Sequence, residues 1–186
     1  MISAAGLADE FQDVRRVPGQ VYVVTGQEIA RTQARTVQDA LRQAVPGIVS
    51  FDQIGNSYQQ TVDLRGFNGQ PTSVSVFVDG VRVNDPDTNA VNLDLISVQD
   101  IERIEVLPGA TAVYGKDALA GVINVITRRG GRSPQTTVES GYGSYNHYRL
   151  WANTSGPISV FDYYAGVQWE RESGSRTYSD ALITNF

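Results

Sequence analysis

A glycine-lysine pair, Gly115-Lys116, with Gly109 upstream, has the residue types of a loop whose backbone amides cradle phosphate while a lysine reaches the terminal oxygens. The spacing does not fit. Five residues separate the glycines where four are needed, and Asp117 stands where Ser or Thr would hold magnesium. A plain turn-helix-turn accounts for the segment. Asp85, Asp87 and Asn89 open with the ligand spacing of a calcium loop, but Ala90 replaces the turn glycine and Ile96 takes the place of the bidentate Glu. A polar loop with at most weak cation affinity is expected. Gly141-Tyr142-Gly143 lacks the third glycine of a dinucleotide fingerprint and reads as an irregularity ahead of a strand. His147 is the sole histidine, which rules out any site needing two of them. It is expected as a solvated side chain on a strand's polar face. With no serine in a nucleophile elbow either, neither catalytic residues nor a cofactor nor a metal site is expected.

Two arginines pose a different problem. Arg65 in VDLRGF and Arg103 in IERIEV each sit within apolar strand sequence, where a buried cation is costly unless a carboxylate meets it. Either they face solvent, or they are buried and draw carboxylates from elsewhere.

The elements that must position these residues are limited by size and charge. The 186 residues suffice for one domain and part of another. Lys and Arg number 15 against 20 Asp and Glu, a net charge of -5 with no basic stripe, so nucleic acid is not an expected partner. There is no cysteine, hence no disulfide or thiolate site. No apolar run approaches the roughly 18 residues of a spanning helix, and MISAAGLADEF lacks the n- and h-regions of a signal peptide. The expectation is a cytosolic protein, or a mature or truncated fragment.

The run RRGGRSP, Arg128 to Pro134, marks a boundary. Of 17 aromatic residues, seven precede Pro134 and ten follow it, so the shorter second part presents a different kind of surface. In the first part Val21 to Val24 reads as a strand, and Thr25 with Glu28 as a capping box opening a short helix. Thr36 caps a second helix with Val37, Ala40, Leu41 and Ala44 on one face, stopped by Pro46-Gly47. Thr61 to Arg65 and Ser73 to Val78 read as strands, and Asp79-Gly80 before Val81 to Val83 as a tight hairpin turn. Ile101 to Leu107 alternates as a strand with one polar side, ended by Pro108-Gly109. Ala110 to Tyr114 is expected to form a helical turn and Gly121 to Thr127 a returning strand. These elements predict an α+β domain: a small mixed sheet, short helices and long polar loops.

The second part alternates over Phe161 to Glu170, with Phe161, Tyr163, Ala165, Val167 and Trp169 against Asp162, Tyr164, Gly166, Gln168 and Glu170. That is the pattern of a transmembrane barrel strand, although a half-buried soluble sheet alternates in the same way. Tyr145 to Thr154 is a less regular neighbour, with Trp151 on its polar side, and Ser155-Gly156-Pro157 is expected to turn between the two.

Three motifs in order carry a family resemblance: LRGF at Leu64 to Phe67, VFVDGVRV at Val76 to Val83, and IERIEVLPGATAVYGKDALAGVINVIT at Ile101 to Thr127. Their sequence and spacing resemble the plug domains of TonB-dependent outer-membrane receptors. The resemblance implies residues 1–13 as an N-terminal segment, 14–131 as the plug, and 132–186 as the first antiparallel strands of an incomplete barrel. It implies a 22-stranded barrel occluded by the plug in the whole protein, located in the outer membrane. Its partners would be the TonB energy-transducing complex, outer-membrane lipid and a scarce small-molecule nutrient such as an iron-siderophore or cobalamin. The alternative is a soluble periplasmic plug-like module for binding or signalling. The family also implies that Arg65 and Arg103 latch the plug to barrel glutamates, and that ligand-facing loops carry Gln53, Ile54, Asn56 and Tyr58, then Asn84, Asp85, Asp87 and Asn89. A TonB-binding box is expected ahead of the plug, and Met1 to Phe11 has no recognisable version of it. About three strands cannot close a barrel without unpaired edges in lipid, so transport is expected of the whole protein only.

Overall fold

The computed structural model describes residues 3–4, 12–13, 20–52, 55, 58, 60–64, 74–109 and 118–186. Near the N-terminus β1 (Ser3–Ala4) pairs antiparallel with β2 (Gln12–Asp13). The main body is a five-stranded sheet of order β3-β8-β9-β6-β7, built from β3 (Tyr22–Thr25), β8 (Ile101–Pro108), β9 (Gly121–Thr127), β6 (Val74–Val78) and β7 (Val81–Arg82). It is mixed, as expected: β6 and β9 run parallel and the other neighbours antiparallel. A separate hairpin pairs β4 (Ile48–Asp52) with β5 (Gln60–Leu64).

Local chemistry explains the junctions. α1 (Gly26–Thr32) opens on the capping box: the Thr25 hydroxyl accepts from Glu28 N–H, and Glu28 Oε2 accepts from Thr25 N–H at 2.7 Å. α2 (Val37–Ala44) opens on Thr36, whose hydroxyl accepts from the Asp39 amide. Its buried stripe is Val37, Ala40 and Leu41 together with Gln38, while Ala44 is exposed. At the β6–β7 turn Asp79 (φ 49°) and Gly80 (φ 83°) both take left-handed backbone, the conformation a two-residue type I′ hairpin requires. Asp79 is further held because Thr127 donates to its carboxylate from both N–H and hydroxyl.

β9 is buried along almost its whole length, the signature of a strand covered on both faces. Ile123 and Val125 join Ile104 and Val106 of β8 in a core that also takes Ile29, Val37, Leu41 and Leu64. On the opposite face Val122 packs with Phe77 and Ala118. The expected helical turn at Ala110 to Tyr114 lies outside the described residues.

After Thr127 the chain passes close along the second unit: a Cβ on Gly130 would meet the Tyr163 backbone at 2.6 Å, so the boundary glycine permits a close approach. A four-stranded antiparallel meander follows, not about three strands: β10 (Gln135–Gly143), β11 (His147–Ile158), β12 (Phe161–Glu172) and β13 (Ala181–Asn185). Ser155-Gly156-Pro157 does not turn. It continues β11, pairing with Tyr164, Tyr163 and Asp162, and the turn falls at Ser159-Val160, where Ser159 has φ 57°.

Candidate functional site

The C-terminal sheet has its amphipathicity reversed relative to a water-soluble one. On β12, Gln168, Glu170 and Glu172 are buried while Phe161, Val167 and Trp169 are exposed. On β11, His147, Trp151 and Ser155 are buried while Tyr148 and Leu150 are exposed. Register aligns the two classes into rows: Val138, Ala152 and Val167 on one face, Glu139, Trp151 and Gln168 on the other. The polar face lies against the first unit.

Two polar ties cross this seam. At the first, Asp100 Oδ1, in the 3-10 turn before β8, accepts from the Tyr164 hydroxyl at 2.6 Å and from Trp151 Nε1 at 3.2 Å. Tyr164 OH in turn accepts from Asn153 Nδ2. A Cβ on Gly166 would lie 3.1 Å from Asp100 Oδ1, so the glycine makes room for the carboxylate. The anomalous placement of Trp151 on a polar face is thereby explained: its indole N–H has a partly buried acceptor.

The second tie is an ionic cluster. Arg35, between α1 and α2, donates to Glu172 Oε2 at 2.6 Å and lies 3.7 Å from Glu170 Oε1. Burial alone disfavours its charge, but the Glu172 hydrogen bond and charge, reinforced by Glu170, raise its pKa above the ordinary value. Glu170, whose side chain is fully buried, also meets His147 Nε2 and accepts from Gln168 Nε2 at 2.7 Å. Tyr58 is buried beside Glu170 and Arg35, and burial followed by the Glu170 charge pushes its phenol well above the ordinary value. His147 is therefore not a solvated side chain. It faces the polar side as expected, but that side is the buried one.

Of the arginines singled out by sequence, Arg65 lies outside the described residues. Arg103 is mostly buried and meets carboxylates of its own strand, Nε to Glu105 Oε1 at 2.9 Å and Nη1 to Glu102 Oε1 at 2.8 Å. Glu105, 1% exposed, also accepts from Asn124 Nδ2. Of the first loop's residues Gln53, Ile54 and Asn56 lie outside the described residues, and Tyr58 turns inward as above. Gly55 fixes that loop to the β12–β13 connection, its carbonyl accepting from Ser175 N–H at 2.8 Å and Ser175 Oγ at 2.7 Å. In the second loop Asn84 and Asn89 are buried. Asn84 accepts from Val76 N–H and donates to the Val74 and Asn89 carbonyls. Asp85 caps its own turn, accepting from the Asp87 and Thr88 amides and the Thr88 hydroxyl; the Thr88 amide is the main influence holding its carboxyl below the usual range. Asp85 and Asp87 are exposed. Sequence reading missed Arg35, Asp100, Glu170 and Glu172. Only the pair of glutamates two apart on one face of an alternating strand carried a signal.

Between the ties lies a cleft of about 970 Å³ bounded by α1, the α1–α2 turn and strands β10 to β12. Four arginines, Arg35, Arg42, Arg128 and Arg149, and four carboxylates, Asp39, Asp52, Glu139 and Glu172, line it, so its charged surface has no one dominant sign.

Comparison with known proteins places this arrangement. Residues 13–122 match the family model described as the TonB-dependent Receptor Plug Domain. The chain is 40% identical over 134 residues to the vitamin B12 transporter BtuB of Vibrio vulnificus strain CMCP6, covering 72% of this chain and 22% of that protein. Against the BtuB of strain YJ016 it is 34% identical over 154 residues, 82% of this chain and 25% of that one. The solved structure of the ferric yersiniabactin uptake receptor FyuA from Yersinia pestis superposes with a TM-score of 0.69 at 26% identity, covering 90% of this chain and 28% of that one. FpvA of P. aeruginosa, bound to a heterologous pyoverdine, gives 0.72 at 24% identity, covering 91% and 22%, a likeness of fold. The chain thus spans about a quarter of the length of these relatives. The match over the first unit, and the strand meander that follows it, make this chain a member of the TonB-dependent receptor plug-domain family, carrying its plug and the opening strands of its barrel.

Proposed function

We propose that the complete protein is a TonB-dependent outer-membrane transporter for energised uptake of a scarce nutrient, with cobalamin the first ligand to test. The observation that carries the reading is the reversed sheet: β11 and β12 bury Gln168, Glu170 and Glu172 against the plug and expose Val167, Trp169, Tyr148 and Leu150. A soluble module would bury the apolar face and wet the polar one. A wall between lipid and a polar lumen requires the opposite. Cobalamin comes first because two relatives at 40% and 34% identity are vitamin B12 transporters; siderophores are the second ligand class.

The strand connections support an orientation. The two-residue turn at Ser159-Val160 and the longer 173–180 connection lie at opposite ends of β12, and in outer-membrane barrels the short turns are periplasmic. The plug loop around Gly55 binds the longer connection and therefore faces outward. This supports the ligand-facing role of Gln53, Ile54 and Asn56, and leaves Asp85 and Asp87 as the projecting acids of the second loop. Arg103 and Arg65 are proposed to latch the plug by pairing with glutamates of later barrel strands, Arg103 with Glu102 and Glu105 of its own strand already beside it. The TonB complex supplies the energy.

The test is uptake of radiolabelled cyanocobalamin by cells lacking their own transporter and expressing the complete gene, with and without TonB. TonB-dependent accumulation is expected. Accumulation that is equal without TonB refutes energised transport, and wild-type recovery of the protein in the soluble periplasmic fraction refutes the membrane assignment.

A further inference from the structure

The outward face of β10 to β13 is neutral except at one place. Its rows, aligned by register with Val138, Ala152 and Val167, hold aliphatic, aromatic, hydroxyl-bearing and glycine positions, and among the described residues Arg171 is their only charged side chain. It is exposed. Glu170 and Glu172, its neighbours in sequence, are buried on the opposite face, and no ion pair forms on its guanidinium among the described residues. Register sets Arg171 directly across from Tyr148, and Tyr148 directly across from Tyr142; the two tyrosine rings lie 5.0 Å apart. Opposed residues on one face have Cβ atoms about 5 Å apart, so two phenols and one guanidinium share a row.

The level of that row follows from the strand. Val167, seventh of the twelve residues of β12, marks the middle of the wall, and Arg171 lies about 10 Å above it at about 3.3 Å per residue and a tilt of about 40°. The apolar band of a barrel wall is about 25 Å tall, so an arginine at this level extends its guanidinium to the headgroups. This end carries the 173–180 connection and faces outward. At the other end of β12 the outward pair is Phe161 with Ile158, an aromatic and an aliphatic without a cation. Anchoring at an interface needs only aromatic rings, which both ends have; the cation at one end alone needs a second reason.

Resting on the membrane reading above, we propose that Arg171, Tyr148 and Tyr142 bind a sugar-linked phosphate of the glycolipid in the outer leaflet. Arginine meets a phosphate with two parallel N–H donors, and each phenol supplies an O–H donor to a remaining oxygen. In the row beneath, Leu150 stands directly across from Trp169; both are exposed and take the acyl chains. The phosphate charge is complementary to the one outward cation of these strands, so the site distinguishes a phosphorylated lipid from a neutral one with the same chains.

The experiment uses the complete transporter purified in a neutral detergent, with binding of diphosphoryl lipid A counted by native mass spectrometry. The same lipid stripped of its phosphates and phosphatidylglycerol serve as comparisons. Arg171→Gln is expected to remove one bound diphosphoryl lipid A per transporter, its affinity at that site falling at least about tenfold, with binding of the stripped lipid unchanged. Tyr142→Phe combined with Tyr148→Phe keeps both rings and should weaken the same site about threefold or more. Unchanged binding of diphosphoryl lipid A in either variant overturns the proposal, and the tyrosine pair decides if Arg171→Gln does not assemble. An equal loss of phosphatidylglycerol in Arg171→Gln marks a site for any anionic lipid and overturns the outer-leaflet assignment. Flotation of the unsubstituted protein with outer membranes tests the membrane reading separately; a protein that floats there and keeps its lipid A in both variants overturns this proposal alone.

Discussion

Replacing Val167 by arginine tests whether the exposed apolar face meets lipid. Val167 is the seventh of the twelve residues of β12. At about 3.3 Å per residue and a tilt near 40°, such a strand traverses about 30 Å, which puts Val167 close to the midplane. Its row neighbours, Ala152 and Val138, are apolar and Val138 is 67% exposed, so no carboxylate stands beside it to receive the new cation. If the face is lipid-exposed, Val167→Arg costs about 2–4 kcal/mol, the range for arginine at the midplane of a barrel wall. That is a factor of about 30 to 900 in the folding equilibrium. If the face is wet, the same change is an exposed surface substitution worth within about 0.5 kcal/mol. The assay is equilibrium denaturant unfolding of the complete protein refolded into lipid vesicles. A shift inside the smaller window, at unchanged slope, would refute the assignment of this face to the membrane and with it the reasoning from reversed burial.

Other expectations follow from single contacts. Thr25→Ala removes the hydroxyl half of the capping box, keeps the bond from the residue-25 N–H to Glu28, and should cost about 1 kcal/mol by denaturant unfolding. Glu28 is held below its ordinary value of 4.5, chiefly by the Thr25 amide; because the folded value is depressed, its contribution is present above about pH 4.5 and lost as pH falls through the folded value. Thr25→Ala keeps that amide and loses only the hydroxyl's hydrogen bond, so most of the acid sensitivity should persist; its complete loss in this variant would count against the amide as the main cause. Asp79→Ala gives up a left-handed residue and two bonds from Thr127, costing about 1–3 kcal/mol. Arg103→Ala removes the cation paired with the buried Glu105 carboxylate, and about 3 kcal/mol of plug stability should go with it. If Arg103→Ala and Arg65→Ala in the complete protein raise neither passive leakage of large antibiotics nor alter uptake, the latch role is wrong.

The first unit was largely legible because its signals are local. Thr25-x-x-Glu28, Thr36, Asp79-Gly80 and the continuous apolar run of Gly121 to Thr127 each specify a conformation within a few residues, and each is found. Signals failed where the partner is distant or the alternation weak. β10, QTTVESGYG, has small polar residues on both faces and gives no period to read. Ser155-Gly156-Pro157 carries strong turn composition, yet the pairing of Pro157 with Asp162, next to the last pair of the ladder, keeps it extended where a missing N–H matters little. Arg103 raised the question of where its carboxylate would come from; Glu105 answers it from two residues along the same strand. Arg35 raised no question at all, because its partners are 135 and 137 residues away and nothing in its own neighbourhood marks it.

The case of His147 shows why the site itself could not be read. Alternation sorts side chains into two faces, and it did so correctly: His147, Gln168 and Glu170 share the polar one. Period two says nothing of which face meets water. That is decided by what packs on the sheet, and here a second unit presents Arg35, Tyr58 and Asp100, a cation, a phenol and a carboxylate, where an apolar core would otherwise sit. Burying Glu170 without Arg35 would be prohibitive, and exposing Val167, Trp169 and Leu150 to water on a free sheet would invite aggregation. The polar seam and the apolar outer face are therefore one condition seen from two sides: each can persist only if the plug occupies one side of the wall and something other than water the other.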